Sequence, residues 1–188
     1  MQLTATALPE VLLIQPQRFG DARGWFMESW NAERYAKHGL PAQMPQCNVS
    51  MSTHGVVRGL HFQQPQPQGK LVQVLAGRVF DVAVDIRHGS PDFGRWISAE
   101  LSADNAHQLW IPAGFAHGFQ VLSEQALFVY HCSAVYAPDC DAAIHCQDSD
   151  IGIDWPLPVT GLSDKDAAAP QLYTLAAERL PQWPGVAQ

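Results

Sequence analysis

The sequence predicts an all-β fold, either a sandwich, a jelly roll or a barrel, with a few short peripheral helices. Glycine and proline turn signals recur roughly every ten residues. The segments between them alternate apolar and polar residues with the period of a strand. With 188 residues, 47% of them hydrophobic, the chain is large enough to bury a core, and we expect one domain over residues 1–188.

The first predicted elements lie before residue 40. Arg18 and Arg23 flank a tight turn ahead of an aromatic segment, an arrangement that suits either a nucleotide phosphate and base or an ordinary surface hairpin. Asn31 can cap a short helix over 32–38, which Gly39 would end.

Strands are predicted through the middle of the chain. The clearest covers 79–86, where four apolar residues share one face and Asp81 and Asp85 lie on the other. A strand over 71–75 leads into it through a glycine turn. The remaining predicted strands cover 44–53, 56–62, 95–101, 107–111, 118–122 and 125–133. Short helices are predicted from Ser163 and over 171–180, within a C-terminal helical region of about 163–188.

Charge and hydropathy argue against two classes of protein, nucleic-acid binders and membrane-spanning proteins. The formal charge is −7, which argues against a nucleic-acid binder because phosphate neutralisation needs a basic face. No apolar run reaches the length of about 20 residues that spans a bilayer, and no export signal is evident. Without such a signal we expect a cytoplasmic protein whose four cysteines are free thiols, namely Cys47, Cys132, Cys140 and Cys146.

The strand over 56–62 contains the first candidate for chemistry. Strand alternation places Val57, Gly59 and His61 on one face and Arg58 and Leu60 on the other. A glycine in mid-strand indicates close approach of a backbone or a ligand. His61 is therefore either a base in a pocket or a structural histidine with satisfied hydrogen bonds.

Other candidates follow along the chain. Lys70, at the start of an apolar strand, can aim its ammonium at a developing oxyanion or stand exposed as a gatekeeper. His117 closes a P-x-G-x-x-H pattern seen in metal-binding cupins, but no H-x-H pair accompanies it, and we predict no metal site. Tyr130 and Tyr136 are either proton donors or packing residues. Neither a dinucleotide-binding motif nor a P-loop is present.

The order of these motifs resembles the dTDP-4-dehydrorhamnose 3,5-epimerase family, from about residue 10 to 170. The motifs are Phe19-Gly20-Asp21-x-Arg23-Gly24, Gln46-x-Asn48-x-Ser50, Val57-Arg58-Gly59-Leu60-His61-Phe62-Gln63, Gln68-Gly69-Lys70-Leu71-Val72, Pro112-x-Gly114-Phe115-Ala116-His117-Gly118-Phe119, Tyr136-Ala137-Pro138 and Ser163-x-Lys165-Asp166. The resemblance implies a cupin-type β jelly roll (a double-stranded β-helix) that acts as a homodimer without metal or organic cofactor. It also implies epimerisation of dTDP-4-dehydro-6-deoxy-D-glucose at C3 and C5.

The resemblance further implies roles for individual residues. His61 is the expected base, Asp166 its orienting carboxylate, Tyr130 the acid on the opposite face and Lys70 the cation beside the enolate oxygen. Expected substrate-binding positions are Arg23, Glu28, Gln46, Cys47, Asn48, Arg58, Lys70, His117, Tyr136, Asp141 and Lys165. The hairpin at about 10–30, with Arg23 and Glu28, is expected to reach the neighbouring subunit's site.

Two departures from the family pattern keep alternatives open. Residues 131–135 replace a more polar stretch, and Asp141 stands where glutamate is common. An epimerase of a single carbon of a related 4-keto sugar nucleotide therefore remains an alternative, as do a metal-dependent cupin enzyme and a non-catalytic sugar-nucleotide binder. Asp164 is an alternative to Asp166 as the partner of His61.

Overall fold

The computed structural model describes residues 1–185, and thirteen strands account for most of its regular structure. The last three residues of the predicted helical region 163–188 lie outside the described residues. In chain order the strands are β1 (Gln2–Ala5), β2 (Leu12–Gln15), β3 (Arg18–Asp21), β4 (Gly24–Met27), β5 (Gln46–Thr53), β6 (Val57–Gln63), β7 (Lys70–Ala76), β8 (Arg78–Asp85), β9 (Trp96–Ser102), β10 (Gln108–Ile111), β11 (Phe115–Val121), β12 (Gln125–Cys132) and β13 (Asp141–Ala143).

Two antiparallel sheets pack face to face and form a jelly roll, so the predicted fold class is confirmed. One sheet has six strands in the order β1-β2-β10-β7-β12-β5, and the other has five in the order β13-β6-β11-β8-β9. Strands β3 and β4 form a separate hairpin. Its aromatic side chains Phe19, Trp25 and Phe26 are exposed to solvent.

The apolar core has two main layers. The inner layer lies between the sheets, where Val74 and Phe128 of the six-stranded sheet meet Phe119 and Val121 of the other. The outer layer lies on the far side of the five-stranded sheet, where the C-terminal segment covers β8. Both faces of β8 are therefore buried, and its two aspartates are fully buried with them.

Strand β6 departs from the predicted alternation. Its pairing with β11 shifts register between His117 and Phe119, and the extra residue on β6 forms a β-bulge. Leu60 consequently packs in the outer core, whereas Arg58 lines a cleft together with His61. The prediction that Arg58 and Leu60 share a face, opposite His61, is wrong for this reason.

Gly59 lies at that irregularity, and the predicted close approach is confirmed. Its φ is +127°, and a Cβ there would lie 2.5 Å from the Cα of Gly118. An L side chain rarely adopts such a φ, so the backbone geometry and the neighbouring strand both require glycine.

The helices are shorter than predicted. Helix α1 covers Ala32–Ala36 with Asn31 as its cap, as expected, and α2 covers Asp164–Ala167 with Ser163 as its cap. The prediction of a helix over 171–180 is wrong: two 3₁₀ turns replace it, at Leu172–Thr174 and Ala177–Arg179. Packing of Leu172 and Leu180 into the outer core sets the path of this segment, since so short a helix is marginal by itself.

The other strand predictions are correct to within a few residues. The largest difference is at β11, predicted over 118–122 but beginning at Phe115, because it pairs with β8 from that residue onward. Strands β1, β2 and β13 were not predicted. None of the helices within residues 1–185 has the length and apolar character needed to cross a membrane.

Candidate functional site

A cleft of about 480 Å³ opens between the two sheets, beside α2 and β13. Ten of the residues singled out in the sequence line it, and they come from seven elements or connecting segments. They are Gln46, Asn48, Arg58, His61, Lys70, Tyr130, Tyr136, Asp141, Lys165 and Asp166. The cleft thus gathers residues that are up to 120 positions apart in the chain.

His61 and Asp166 form a hydrogen-bonded pair in this cleft. Nε2 of His61 lies 2.6 Å from Oδ1 of Asp166, and the carboxylate is almost completely buried. The cap of α2 fixes the aspartate, because the Asp166 backbone N–H donates to Oγ of Ser163. Asp164 is exposed, so geometry selects Asp166 as the partner of His61.

The charge of Asp166 is favoured by this arrangement. Burial alone would raise the pKa of Asp166, but the hydrogen bond and the charge of His61 outweigh burial and lower it. An ionised carboxylate on one imidazole nitrogen fixes the tautomer and favours an imidazolium that forms when the ring accepts a proton. His61 therefore has the surroundings of a general base.

Tyr130 faces the cleft from the opposite sheet. It lies on β12, where it pairs with Asn48 of β5 and Val72 of β7. Burial raises the pKa of Tyr130, which keeps its hydroxyl protonated at neutral pH. A proton acceptor and a proton donor thus stand on facing walls of one cleft.

Lys70 lies between these two walls at the start of β7. Its Nζ donates a hydrogen bond of 3.3 Å to the carbonyl oxygen of His61. Burial lowers the pKa of Lys70, although nearby anions oppose the effect. The alternative of an exposed gatekeeper is wrong, since the ammonium is directed into the cleft.

Polar side chains at the mouth of the cleft hold one another in place. The Tyr136 hydroxyl donates to Oδ2 of Asp141 at 2.9 Å, and Nζ of Lys165 donates to the same oxygen. Gln46 accepts a hydrogen bond from the backbone N–H of Tyr136 at 2.6 Å. The mouth therefore presents an aromatic ring together with donors and acceptors.

A smaller chamber of about 130 Å³ lies deeper, beneath His61 and Tyr130. Its further lining residues are Ser50, Arg58, Lys70, His117, Phe119 and Phe128. Nε2 of His117 lies 3.0 Å from a carboxylate oxygen of Asp81. Sequence reasoning missed Asp81, because the polar face of a strand gives no sign that its residues are buried.

Three predicted binding residues lie away from the cleft in this chain. Arg23 is exposed on the β3–β4 hairpin and pairs with Asp21. Glu28 pairs with Arg34, and Cys47 is exposed on β5. Among residues 1–185, no cluster of three or more His, Cys, Asp or Glu side chains has an arrangement that could hold a metal ion.

Comparison with known proteins agrees with this geometry. Residues 5–174 match the family model described as dTDP-4-dehydrorhamnose 3,5-epimerase. The chain belongs to this family. A curated family member from Pseudomonas aeruginosa is 51% identical over 168 residues, which cover 88% of this chain and 93% of the relative. One from Escherichia coli K12 is 48% identical over 180 residues, which cover 93% of this chain and 95% of the relative.

Solved structures of dTDP-sugar epimerases have the same fold. The Legionella pneumophila enzyme, described in complex with dTDP-4-keto-L-rhamnose, superposes with a TM-score of 0.95 at 49% identity, covering 98% of this chain and 99% of that one. A 3'-monoepimerase from Streptomyces bikiniensis in complex with dTDP-quinovose has a TM-score of 0.88 at 34% identity, covering 95% and 92%. The predicted cupin-type jelly roll and membership of the epimerase family are confirmed.

Proposed function

We propose that this chain epimerises dTDP-4-dehydro-6-deoxy-D-glucose at C3 and C5, through an enolate, to give dTDP-4-dehydro-L-rhamnose. The observation that carries the proposal is the single cleft in which a His61–Asp166 pair faces Tyr130, with Lys70 between them. Family membership supports the same reaction, because the curated relatives at about half identity are named as these epimerases.

The first step is proton abstraction by His61. The hydrogens at C3 and C5 both flank the C4 ketone, so removal of either one gives an enolate. The C–H bonding pair moves into the new C=C bond, and the carbonyl pair moves onto the C4 oxygen. Asp166 stabilises the imidazolium that His61 becomes, and the buried position of the carboxylate strengthens this interaction.

Lys70 stabilises the negative charge on the C4 oxygen. One fixed cation serves both epimerisations, because both enolates place their charge on this same oxygen. The interaction is stronger in the enolate than in the ketone, which is the condition for faster turnover rather than merely tighter binding.

Tyr130 completes the inversion by donating its proton to the opposite face of the carbon. The phenol lies across the cleft from His61, on the other sheet. The tyrosinate formed in this step recovers its proton from solvent, and His61 releases its proton to solvent. The net result is inversion with incorporation of solvent hydrogen.

The nucleotide end of the substrate belongs at the mouth of the cleft. The Tyr136 ring can stack on thymine, while cations near it suit the diphosphate. The remaining substrate-binding residues proposed here are Gln46, Asn48, Arg58, His117, Asp141 and Lys165. Cys47, which lies between Gln46 and Asn48 on β5, is also proposed as a substrate-binding residue.

A homodimer of single-domain subunits accounts for the two remaining residues, Arg23 and Glu28. The hairpin that carries Arg23 exposes three aromatic side chains, and the outer face of β5 exposes Val49 and Met51. Exposed apolar groups of this kind are typical of an interaction surface. In the proposed dimer the hairpin reaches the cleft of the other subunit. A cytoplasmic location suits an enzyme with four free cysteines.

Deuterium uptake tests the proposed function. Purified protein is incubated with the 4-keto sugar nucleotide in heavy water, and the C3 and C5 positions are followed by NMR. We expect uptake at both carbons and strong loss of uptake in His61→Ala, with the exposed His38→Ala as control. Absence of exchange with the wild-type protein would contradict the proposal.

A single-carbon epimerase is the second candidate. The 34% identity with a 3'-monoepimerase favours it. Asp141 at the mouth of the cleft also favours it, because glutamate is common at this position in the family. The same experiment separates the two candidates, because a single-carbon enzyme exchanges predominantly at one position.

A further inference from the structure

Asp81 is a buried carboxylate beneath the cleft. It lies in the middle of β8, opposite Phe119 of β11 and Ala99 of β9, and its side chain has no exposed surface. Its two carboxylate oxygens lie 3.1 and 3.0 Å from Nε2 of His117, and no other side-chain hydrogen bond reaches it within residues 1–185. A charge buried so deeply needs compensation by an opposite charge nearby.

His117 supplies a hydrogen bond to Asp81 but little charge. Burial lowers the pKa of His117, and the opposing effect of Asp81 does not overcome it. The neutral imidazole donates from Nε2 to the carboxylate. Burial raises the pKa of Asp81, whereas His117 and the charge of Lys70 oppose this rise, so the ionised carboxylate depends on a cation close by. The inner chamber that His117 lines offers a place for a compensating cation, and Lys70 lines this chamber.

Several other groups surround the Lys70 ammonium. They are Arg58 and His61 of β6, His117 of β11, Tyr130 and Cys132 of β12, Asp141 of β13, and Lys165 and Asp166 of α2. Burial raises the pKa of Cys132 to about 11, so this thiol is uncharged at neutral pH. Lys165 is bonded to Asp141, and His61 is bonded to Asp166. Among the described residues, Asp81 is the carboxylate of this neighbourhood that has no cation other than Lys70 to offset its charge.

We propose that Asp81 is a positioning residue that acts through Lys70: it is the buried counter-charge that keeps the ammonium protonated, and His117 holds it in place. The inference rests on the proposed function, in which the charged ammonium stabilises the enolate oxygen. Burial favours loss of the Lys70 proton, and Asp81 opposes this loss from beneath the reacting carbons. Without substrate, the charges of Lys70 and Asp81 therefore cancel, and the ammonium of Lys70 is the charge that faces the cleft.

The small number of lysines makes a direct test possible. The chain has three, Lys37, Lys70 and Lys165, so protein labelled with ¹³C at lysine Cε gives three side-chain signals. The signal of Lys70 is assigned by its loss in Lys70→Arg. An NMR titration of the full-length protein without substrate then follows the protonation of this one ammonium.

Asp81→Asn is the test variant, because the amide oxygen still accepts from Nε2 of His117 while the charge is removed. We expect Lys70 to titrate about one pH unit or more lower than in the wild type. Asp85→Asn is the matched control: Asp85 is equally buried on the same strand, but it pairs with Arg87 and Ser90. This control is expected to lower stability and leave the Lys70 titration unchanged.

An unchanged Lys70 titration in folded Asp81→Asn would overturn the proposal. If Asp81→Asn does not fold, the same titration is carried out on Asp81→Ser, which also removes the charge. As a second readout, the alkaline limb of the pH–exchange profile at C3 and C5 is expected to move to lower pH with the titration. Absence of exchange in wild-type protein would remove the proposed function, whereas the lysine titration would still decide whether Asp81 is the counter-charge.

Discussion

Nε2 of His61 lies 2.6 Å from Oδ1 of Asp166, although 105 residues separate the two along the chain. One residue belongs to β6 of the five-stranded sheet and the other to the short helix α2. The proposed site of proton abstraction therefore depends on how the C-terminal segment docks against the β-sheets.

Asp166→Asn tests the role of this carboxylate. The variant retains the size of the side chain but loses the charge that stabilises the imidazolium, so we expect exchange at C3 and C5 to fall about 100-fold. Binding of dTDP, measured by calorimetry, is expected to remain within a factor of two. Asp164→Asn provides the control, because Asp164 lies only two residues away in the same helix but is exposed. Equal losses in both variants would contradict the assignment.

The same pair makes a pH-dependent contribution to stability. The pKa of Asp166 is lowered in the folded protein, so its contribution is present above the unfolded pKa of about 3.9 and is lost as pH falls through the folded value. Thermal unfolding of the wild type and Asp166→Asn from about pH 7 down to about pH 2, well below the ordinary aspartate pKa, checks this. We expect the two stabilities to converge at the acid end; a constant difference would contradict the linkage.

Tyr130→Phe tests the proton donor on the opposite wall. His61 still removes and returns a proton from its own face, so we expect deuterium exchange to continue while formation of inverted product falls about 100-fold. Product configuration and deuterium content are read from the same NMR sample. Tyr136→Phe is the matched control, since it loses a hydrogen bond to Asp141 at the mouth. A parallel loss of exchange and inversion in Tyr130→Phe would argue against separate base and acid.

The exchanged hairpin is tested by subunit complementation. Arg23→Ala and His61→Ala are co-expressed with different tags, and the mixed dimer is purified. If Arg23 serves the other subunit's cleft, one of the two sites in the mixed dimer is intact, and about half of the wild-type rate returns. If Arg23 serves its own cleft, each site lacks one residue, and the mixed dimer stays as inactive as its parents.

Gly59→Ala tests the backbone requirement at the bulge. A Cβ at this position would meet the backbone of Gly118 at 2.5 Å, and the φ of +127° disfavours an L side chain. We expect the free energy of unfolding to fall by about 3 kcal/mol. Gly20→Ala is the control, because its Cβ would come no closer than 3.7 Å to the nearest atom. Denaturant unfolding of both variants gives the comparison, and equal stabilities would contradict the requirement.

Alternation and turn residues are local signals, and from them the sequence predicts the strand pattern. The set of residues expected in the cleft comes from the family resemblance instead. The sequence does not predict which residues face the cleft on β6, since the bulge opposite Gly118 breaks the alternation between Arg58 and His61. Asp81 could not be recognised either. Its partner His117 lies 36 residues away, and only the pairing of β8 with β11 brings the two together.

The C-terminal segment shows the same limit. The residues over 171–180 have the composition of a helix, but burial of Leu172 and Leu180 against the sheet determines their path. Helix propensity is a weak local preference that tertiary packing overrides. Asp166 could be placed beside His61 only through family resemblance, because no local pattern encodes contact across 105 residues.

The stacked rings of Phe119 and Phe128, whose centroids are 4.1 Å apart, join the two sheets beneath the cleft. Since His61 belongs to one sheet and Tyr130 to the other, this aromatic pair acts as a spacer that sets the gap across which a sugar ring must fit. A change in the volume of either side chain would change the distance between His61 and Tyr130 without a substitution at either residue. Substitutions in the core beneath the cleft can therefore change which sugar ring fits between the two sheets.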